Sequence, residues 1–292
     1  MLTHHWPEPQ PPSRTMVLGA KGFVGRALVA RLARDGSSVL PISRDGIDLA
    51  ADGAADRLTA ELRPDDCLVF LSALTPDKGR GIPAFLTNIQ MAAAVSSAIE
   101  RRPPAHIIYV SSDAVYPFRS ALIDEDSGAE PVDLYGAMHL SREIMMKQSA
   151  KAPVAVLRPT LIYGAGDTHN SYGPNRFRRM AAKERRITLF GEGEETRDHI
   201  YVDDVVALID LVIRHRSAGT LNLATGRSIT YRALADMVAW VHPEPVEVAG
   251  MPRQNPVTHR SFDVIALHRS FPAFTFTPLE EGLVVAHRAD AS

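Results

Sequence analysis

The amino-acid sequence predicts an α/β protein built on a doubly wound parallel sheet, with a small discontinuous substrate domain in its second half. Three observations support this fold class. Short apolar runs of strand length alternate with helical patterns along the first half of the chain. The runs are continuous, which is typical of strands covered on both faces. A glycine-rich loop follows the first run, where such sheets bind phosphates.

The first half of the chain is predicted as regular strand–helix alternation. Its clearest helix follows the glycine loop, where Val24, Leu28 and Leu32 recur at four-residue spacing on one face. Pro41 must lie near the end of its strand, because proline cannot donate to a strand ladder. The predicted strands are residues 16–18, 39–42, 68–71, 107–110 and 154–157, and the predicted helices are residues 23–32, 54–62, 84–100 and 134–149.

The second half is less regular. Its predicted elements are a loop at 164–175, helices at 177–183, 202–213 and after Thr230, an acidic turn at 191–195 and a strand at 220–224. We expect residues 14–158 and 197–225 to form a cofactor domain. Residues 159–196 and 226–292 would then form a substrate-binding cap. Residues 1–13, with four prolines between positions 7 and 12, are predicted to be an irregular leader.

Composition excludes several classes of protein. The chain of 292 residues has 32 Lys and Arg against 34 Asp and Glu, a net charge of −2, which gives no electrostatic footprint for nucleic-acid binding. Cys67 is the only cysteine, and the eleven histidines are scattered, so neither a disulfide nor a metal site is expected. No signal-peptide core and no run of 18 apolar residues occurs. We expect a cytoplasmic protein without a membrane partner.

The glycine loop, Gly19-Ala-Lys-Gly22-Phe-Val-Gly25, follows the first strand and opens the first helix. Gly19 permits a tight turn, Gly22 lets a pyrophosphate approach the backbone, and Gly25 allows the helix to pack closely on the strand. The helix N-terminus offers unpaired N–H groups and the positive end of its dipole to the phosphates. The strand–turn–helix context disfavours a glycine-rich turn without a ligand. We therefore predict dinucleotide binding and a Rossmann-type sheet.

The end of the second strand discriminates between the two nicotinamide dinucleotides. NAD-binding sheets commonly place an acid there to bind the ribose hydroxyls, whereas this chain has Ile42-Ser43-Arg44-Asp45. Ser43 and Arg44 suit a 2′-phosphate, because a guanidinium makes charge-assisted bonds to phosphate oxygens. If the strand ends one residue later, Asp45 is the ribose-binding acid, and Arg44 can equally be a solvated loop charge. NADP is favoured and NAD stays open.

Five further segments follow one another in an informative order. They are residues 109–117 (YVSSDAVYP), 134–139 (LYGAMH), 158–164 (RPTLIYG), 189–204 (LFGEGEETRDHIYVDD) and 222–226 (NLATG). Together with the glycine loop they resemble the extended short-chain dehydrogenase/reductase family, and more narrowly its NAD(P)-dependent nucleotide-sugar epimerase/dehydratase branch. The resemblance covers the chain from about residue 15 to 285, and the joint occurrence of the segments is more specific than any one of them.

The resemblance implies that Tyr135 is the general acid/base, which exchanges a hydroxyl proton while a hydride moves to or from the nicotinamide. Ser112 would hydrogen-bond the substrate oxygen. A phenol with a pKa of about 10 needs a neighbouring cation to ionise at neutral pH, which is the role of a Lys four residues after the Tyr. This chain has His139 there instead. Three outcomes stay open: a working variant, a slow enzyme, or a cofactor-binding protein without chemistry.

Two side chains on the same helical face could share the role of the missing Lys. A neutral imidazole at His139 cannot lower the pKa of Tyr135 by charge, but it can donate a hydrogen bond to the nicotinamide ribose. Arg142, seven residues after Tyr135, either supplies the positive field or points into solvent.

The remaining predicted site residues come from the glycine loop, the strand ends and the family motifs. The predicted cofactor contacts are Gly19, Gly22, Phe23, Val24, Gly25, Ser43, Arg44, Asp48, Leu49, Leu71, Ser72, Ala73, Tyr135, His139 and Pro159. The predicted substrate contacts are Thr75, Ser112, Asp113, Asn175, Arg176 and Arg197. Arg197 is the leading one, because a planar guanidinium suits the diphosphate of a nucleotide sugar. For Asn88, a structural role and a direct role both stay open.

The resemblance implies an epimerase or reductase of a nucleotide-linked sugar, acting as a homodimer. A dehydratase is disfavoured because no Glu accompanies Asp113 beside Ser112. Two alternatives stay open: a reductase of a small non-nucleotide carbonyl, since the cap is short, and a non-catalytic NAD(P)-binding regulatory protein. The basic cluster at 176–186 lacks an aromatic platform, so no nucleic-acid partner is expected.

Overall fold

The computed structural model describes residues 1–118, 122–167 and 173–291. The strands are β1 Leu2–His4, β2 Arg14–Leu18, β3 Val39–Ile42, β4 Asp66–Phe70, β5 His106–Val110, β6 Val154–Pro159, β7 Leu161–Tyr163, β8 Arg186–Phe190, β9 Thr196–Tyr201, β10 Ser217–Leu223, β11 Ser228–Thr230 and β12 Glu247–Met251. The helices are α1 Phe23–Arg34, α2 Ala54–Glu61, α3 Ile82–Arg101, α4 Leu134–Ser149, α5 Gly173–Glu184, α6 Val202–Arg214, α7 Tyr231–Val241, α8 Ile265–Ser270 and α9 Leu279–Ala291, and a 3-10 turn, Asp113–Val115, follows β5.

A seven-stranded sheet in the order β1-β10-β6-β5-β4-β2-β3 organises the first part of the chain. All of its neighbouring strands pair in parallel except β1, which is antiparallel to β10. The chain leaves β2 for β3 on one side and returns to β4 on the other, so the order reverses at β2. Ligands of doubly wound sheets bind outside the strand ends at such a reversal. The predicted fold class is confirmed.

The core of this sheet explains why the first half was predictable. Leu68 and Phe70 of β4 and Leu28 of α1 are fully buried, as expected for apolar strands covered by helices on both faces. The apolar face of α3 packs on the same core through Ala92 and Val95. By length and composition α3 could cross a membrane, the one such helix in the described residues. Of that apolar stretch 33% is buried, and its buried residues include Ala92 and Val95.

Residues 1–13 were predicted to be an irregular leader, and this is wrong for their first part. Leu2 pairs with Gly219, and His4 with Ser217, in the antiparallel ladder between β1 and β10. The prolines that suggested irregular structure begin only after this strand. The backbone N–H of Trp6 donates to a carbonyl at the end of α6, which extends the attachment beyond β1.

The chain forms two compact units. Unit 1 comprises Met1–Pro117, Glu125–Pro159 and Val205–Leu223, and unit 2 comprises Phe118–Asp124, Thr160–Asp204 and Ala224–Ser292. The predicted boundaries were wrong in four places: residues 197–204, residues 224–225 and the short excursion after Pro117 belong to unit 2, and Pro159 belongs to unit 1. The reason is visible in the strands, because β9 pairs with β7 and β11 in a separate three-stranded sheet.

Unit 2 contains most of the strands that the sequence did not reveal. The three-stranded sheet has the order β11-β9-β7, and β8 pairs in parallel with β12. β7 and β11 are three residues long, too short to show a period. β12 is largely exposed and has a glycine, so it lacks an apolar run. The predicted cap helix after Thr230 does form, and the Thr230 side chain caps it by accepting from the Ala233 N–H.

Candidate active site

The glycine loop after β2 forms a tightly packed backbone cradle. Gly19 has a positive φ of 94°, and a Cβ there would lie 2.9 Å from the backbone nitrogen of Ser72. A Cβ on Gly25 would lie 2.1 Å from the Gly19 carbonyl oxygen. Gly22 caps α1 without a side-chain hydrogen bond, and the first turn, with Phe23 and Val24, has no acidic residue. The N–H groups at the start of α1 are therefore suited to an anionic phosphate.

The residues after β3 carry charges that pair with one another. Ser43 is half-buried, whereas the Arg44 side chain is 82% exposed and its Nε lies 3.0 Å from an Asp48 carboxylate oxygen. The other Asp48 oxygen accepts from the Ala50 N–H, and these partners lower the pKa of Asp48. Asp45, the alternative ribose acid, pairs with Lys21. Leu49, also a predicted cofactor contact, is buried.

The loop after β4 brings Leu71, Ser72 and Ala73 beside the glycine cradle. Asn88 of α3 holds this loop in place, because its Oδ1 accepts from the Leu74 N–H at 2.9 Å and its Nδ2 donates to the Leu74 carbonyl at 3.1 Å. These side-chain contacts of Asn88 are structural. Thr75, at the end of the loop, donates to Asp77.

Ser112 and Tyr135 lie on two turns whose backbones touch. Ser112 begins the 3-10 turn after β5, and its hydroxyl oxygen accepts from the Ala114 N–H at 3.1 Å. Tyr135 is in the first turn of α4. The next residue is Gly136, and a Cβ there would lie 2.1 Å from the Ala114 carbonyl oxygen. This close approach brings the two side chains to the same edge of the sheet.

Tyr135 lines a pocket within unit 1. Tyr135 is half-buried. The lining of the pocket also includes the loop before α3 and the start of α4, namely Leu74, Gly79, Arg80, Gly81, Ala84, Phe85, Asn88, Leu134 and Met138. Asp113, predicted to contact substrate, is buried in the 3-10 turn, and Pro159, a predicted cofactor contact, ends β6. Tyr135 thus lines the pocket, and Ser112 lies on the turn that packs against the start of α4.

His139 is buried beneath Tyr135 and is neutral. Its Nδ1 lies 2.7 Å from the Tyr109 hydroxyl, and its ring meets the Tyr135 ring edge-on at 4.7 Å. Burial lowers the pKa of His139 well below its usual value and raises that of Tyr109. When the imidazole proton is on Nδ1 the Tyr109 hydroxyl accepts it, and the hydroxyl donates to Nδ1 when that proton is on Nε2. That atom is buried and has no hydrogen-bond partner in the described part of the chain.

Arg142 does not point into solvent, and that alternative is wrong. The side chain is fully buried, its Nη2 donates to the Ser72 carbonyl at 2.7 Å, and its guanidinium lies 4.2 Å from the Phe70 ring centroid. The seven-residue spacing from Tyr135 correctly predicted a shared helical face. It could not show that this face is turned towards the ends of β4 and β5.

A buried polar network beside the site was missed from the sequence. Glu143 accepts from Ser111 at 2.6 Å and from two nitrogens of Arg158 at 2.6 and 2.9 Å. A third Arg158 nitrogen donates to the Tyr116 hydroxyl, which donates in turn to Asn222. The network ties β5, α4, β6 and β10 together. Its members stand in or next to the family-like segments, but their spacing gave no sign of which side chains would pair.

The predicted substrate contacts of the second half lie in unit 2. Asn175 is buried, and its amide is used within the chain: its Oδ1 accepts from the Gly164 N–H at 3.2 Å and its Nδ2 donates to Asp167. Arg176, its neighbour, is half-buried. No group of three or more potential metal ligands is present in the described residues.

Arg197 is held in place by the chain around it. Two of its nitrogens donate to the carbonyl and the hydroxyl of Thr258, each at 2.7 Å. Its guanidinium lies 5.1 Å from the Phe118 ring centroid and 5.9 Å from that of Tyr231. This fixed, half-buried guanidinium retains capacity for further hydrogen bonds.

The doubly wound sheet, the glycine cradle at its reversal point and the paired Ser and Tyr turns define a dinucleotide-binding α/β protein. The model of the NAD dependent epimerase/dehydratase family matches residues 15–224. The chain belongs to this family, which confirms the predicted resemblance and the predicted class of enzyme.

Individual relatives are similar over most of their length. A dTDP-L-rhamnose 4-epimerase of Burkholderia thailandensis is 25% identical, with 86% of this chain and 87% of that protein covered. A UDP-glucose 4-epimerase of Mycolicibacterium smegmatis is 27% identical, with 80% and 84% covered. The crystal structure of a UDP-glucose 4-epimerase from Thermus thermophilus in complex with NAD has a TM-score of 0.81 at 20% identity, covering 95% of this chain and 99% of that one.

Proposed function

We propose that the protein is an NAD(P)-dependent epimerase or reductase that acts by hydride transfer on a nucleotide-linked sugar, with Tyr135 as the general acid/base. The observation that carries the proposal is the backbone contact between Gly136 and Ala114, which brings Ser112 and Tyr135 to the sheet edge where the glycine cradle opens. The nucleotide-sugar substrate is supported by the relatives, two of which are named as 4-epimerases of nucleotide-linked sugars.

The chain has groups that fit a nicotinamide dinucleotide. The backbone cradle around Gly19 and Gly25 leaves no room for side chains, and the open N-terminus of α1 suits a pyrophosphate. His139 has a buried Nε2 without a protein partner in the described residues, and with its proton on this atom the imidazole suits a hydroxyl of the nicotinamide ribose. Ser43 and the exposed Arg44 favour the 2′-phosphate of NADP, whereas the NAD-bound Thermus relative favours NAD.

The proposed chemistry divides the work between the chain and the cofactor. When bound, the nicotinamide accepts or returns a hydride. The Tyr135 phenol exchanges a proton with the substrate hydroxyl or carbonyl. The Ser112 hydroxyl already accepts from the Ala114 N–H, so its own proton is available to the same substrate oxygen, its contact with Asp113 being long at 3.4 Å. Without an accompanying Glu at Asp113, epimerisation or reduction is favoured over dehydration.

Substrate recognition is proposed to use the predicted substrate contacts. Thr75 and Asp113 would contact the sugar, and Arg197 would bind the diphosphate through its fixed guanidinium. Asn175 would act mainly by shaping its own loop, since its amide already bonds to Gly164 and Asp167.

The deciding experiment has two parts. The purified protein is first denatured and any released nucleotide is identified by mass spectrometry, since retained NAD⁺ indicates an epimerase that recycles its cofactor. The native protein is then incubated with a panel of nucleotide sugars and NAD(P)(H), and products are followed by NMR. Turnover that disappears in Tyr135→Phe, with cofactor binding intact, supports the proposal. Turnover of small ketones alone, or none at all despite tight cofactor binding, contradicts it and favours a small-carbonyl reductase or a regulatory protein.

A further inference from the structure

Arg142 is a positive charge inside unit 1 without a carboxylate partner in the described residues. Its contacts are the Ser72 carbonyl, the Met138 sulfur, the face of the Phe70 ring and both the ring and the hydroxyl of Tyr109, and its Nε has no hydrogen-bond partner among the described residues. The next residue on α4, Glu143, is occupied by Arg158 and Ser111 (the network described above). The guanidinium is therefore only partly compensated.

Such an arrangement is costly to the fold. Removing an ion from water without a counter-ion is unfavourable, and apolar residues of similar volume commonly serve a core as well or better. Burial accordingly lowers the pKa of Arg142, and the groups that oppose this effect are the phenols of Tyr109 and Tyr135. Packing of the core does not require a cation at this point, so the buried charge indicates a functional role for Arg142.

We infer that Arg142 supplies the positive charge beside Tyr135 that favours the phenolate, and is thereby a positioning residue for the acid–base step. The catalytic meaning of this inference rests on the proposed function, whereas the coupling between the guanidinium and the phenol does not. Neighbouring opposite charges favour each other's ionised forms, and the effect is strong in a site removed from water. The guanidinium reaches back along α4 to the Met138 sulfur, at 3.7 Å, and Met138 lines the pocket together with Tyr135. His139 is neutral, so it cannot provide the charge.

Tyr135 is the phenol on which the charge can act. Tyr109 is fully buried, its hydroxyl is hydrogen-bonded to His139, and burial raises its pKa. Tyr135 is half-buried in the pocket and is coupled electrostatically to the same guanidinium. Tyr109 therefore has a structural environment, whereas Tyr135 has a reactive one.

Other charged groups face this region and must be held constant. Asp113 lies on the 3-10 turn that packs against the start of α4, and Arg80, from the loop before α3, lines the pocket with Tyr135. Glu143 and His139 lie on α4 itself. None of these changes in a substitution of Arg142, so the difference between variants reports the charge of that one side chain.

The test is the titration of Tyr135 itself, which requires no substrate. The protein is labelled with ¹³Cζ-tyrosine, and the Tyr135 signal among the seven tyrosines is assigned from Tyr135→Phe. Burial raises the pKa values of Tyr109, Tyr116, Tyr163 and Tyr201, which keeps their signals apart. We expect Tyr135 in the wild type to titrate below the value of about 10 for free tyrosine.

Two variants separate charge from packing. Arg142→Met removes the charge at similar volume, and we expect it to raise the pKa of Tyr135 by about 1–3 units. Arg142→Lys retains the charge and should keep it close to the wild-type value. An unchanged Tyr135 titration in Arg142→Met, or a wild-type value at or above that of free tyrosine, overturns the inference. If Arg142→Met does not fold, the wild-type value and Arg142→Lys decide.

A pH profile of turnover connects the coupling to catalysis. With a nucleotide sugar that the enzyme accepts, the acidic limb of kcat/KM should move to higher pH in Arg142→Met and stay in place in Arg142→Lys. A purely structural role would lower turnover at all pH values without moving that limb. If Tyr135 shows the expected titration but no substrate is turned over, the proposed function fails while the coupling stands.

Discussion

Replacing Gly136 with Ala tests the backbone contact on which the candidate active site depends. The Cβ of the new residue would lie 2.1 Å from the Ala114 carbonyl oxygen and 2.9 Å from the Pro131 Cβ. Ordinary contact begins at about 3.4 Å, so the two turns must separate by about 1.3 Å. Helix propensity alone would make the change stabilising, by about 1 kcal/mol for Gly to Ala within a helix.

Helix propensity and overpacking have opposite effects on stability, whereas only the displacement of the two turns affects turnover. Overpacking against rigid backbone costs about 1–3 kcal/mol, so we expect the free energy of unfolding to fall despite the better helix former. A displacement of about 1 Å between catalytic groups costs about 100-fold in rate. We therefore expect turnover to fall by about that factor while cofactor affinity stays close to the wild type, since the glycine cradle is not touched.

The assays are urea unfolding, cofactor titration by fluorescence, and turnover of a nucleotide sugar. Gly128→Ala is the matched control in the same unit, because its Cβ would meet only the flexible Glu130 side chain, at 3.1 Å. A Gly136→Ala variant that is more stable than the wild type and retains turnover would show that the two turns need not touch.

Three further outcomes are expected. Arg44→Ala should weaken NADPH binding by about 10–100-fold and leave NADH binding unchanged, because a hydrogen bond to a charged group is worth about 1.5–3 kcal/mol; equal loss for both cofactors would contradict the assignment of Arg44 to a 2′-phosphate. Glu143→Gln should lower the free energy of unfolding by about 3–5 kcal/mol, because it leaves the buried Arg158 charge poorly compensated, whereas Asp56→Ala, which removes an exposed ion pair, should change it by less than about 1 kcal/mol. Burial lowers the pKa of His106 from 6.5 to about 4. Between these pH values the unfolded chain binds a proton that the folded chain does not. The free energy of unfolding should therefore fall as the pH drops from 6.5 towards 4, by about 1.4 kcal/mol per pH unit. Urea unfolding at several pH values should show a smaller loss in His106→Gln, and an equal loss would exclude His106 as its source.

The elements predicted well are those with long, uniform patterns. The strand at 39–42 and the helix at 134–149 have the predicted bounds, because a continuous apolar run or several helical turns outweigh local irregularity. β1, β7 and β11 escaped prediction because three residues carry no periodicity. Their pairing partners lie far along the chain, so only the tertiary structure fixes them.

The residues of the candidate site likewise comprise some that the sequence predicted and some that it could not. The glycine loop, Ser112 and Tyr135 were predictable because each belongs to a short segment with a fixed local geometry. The environments of His139 and Arg142 were not, since burial depends on which face of α4 meets the sheet. Spacing placed both side chains on the face of Tyr135, but only the packing against Phe70 and Tyr109 shows that one is neutral and the other enclosed.

The short strand β1 covers the edge of the seven-stranded sheet that β10 would otherwise form. Without it, the outer backbone groups of β10 would face solvent as an open ladder, and such an edge is a template for pairing with other chains. Its residues Leu2–His4 cover Ser217–Gly219 in an antiparallel arrangement that ends the parallel series. Deleting residues 1–13 would therefore leave the glycine cradle and the Tyr135 pocket in place but should make the protein prone to aggregate through β10.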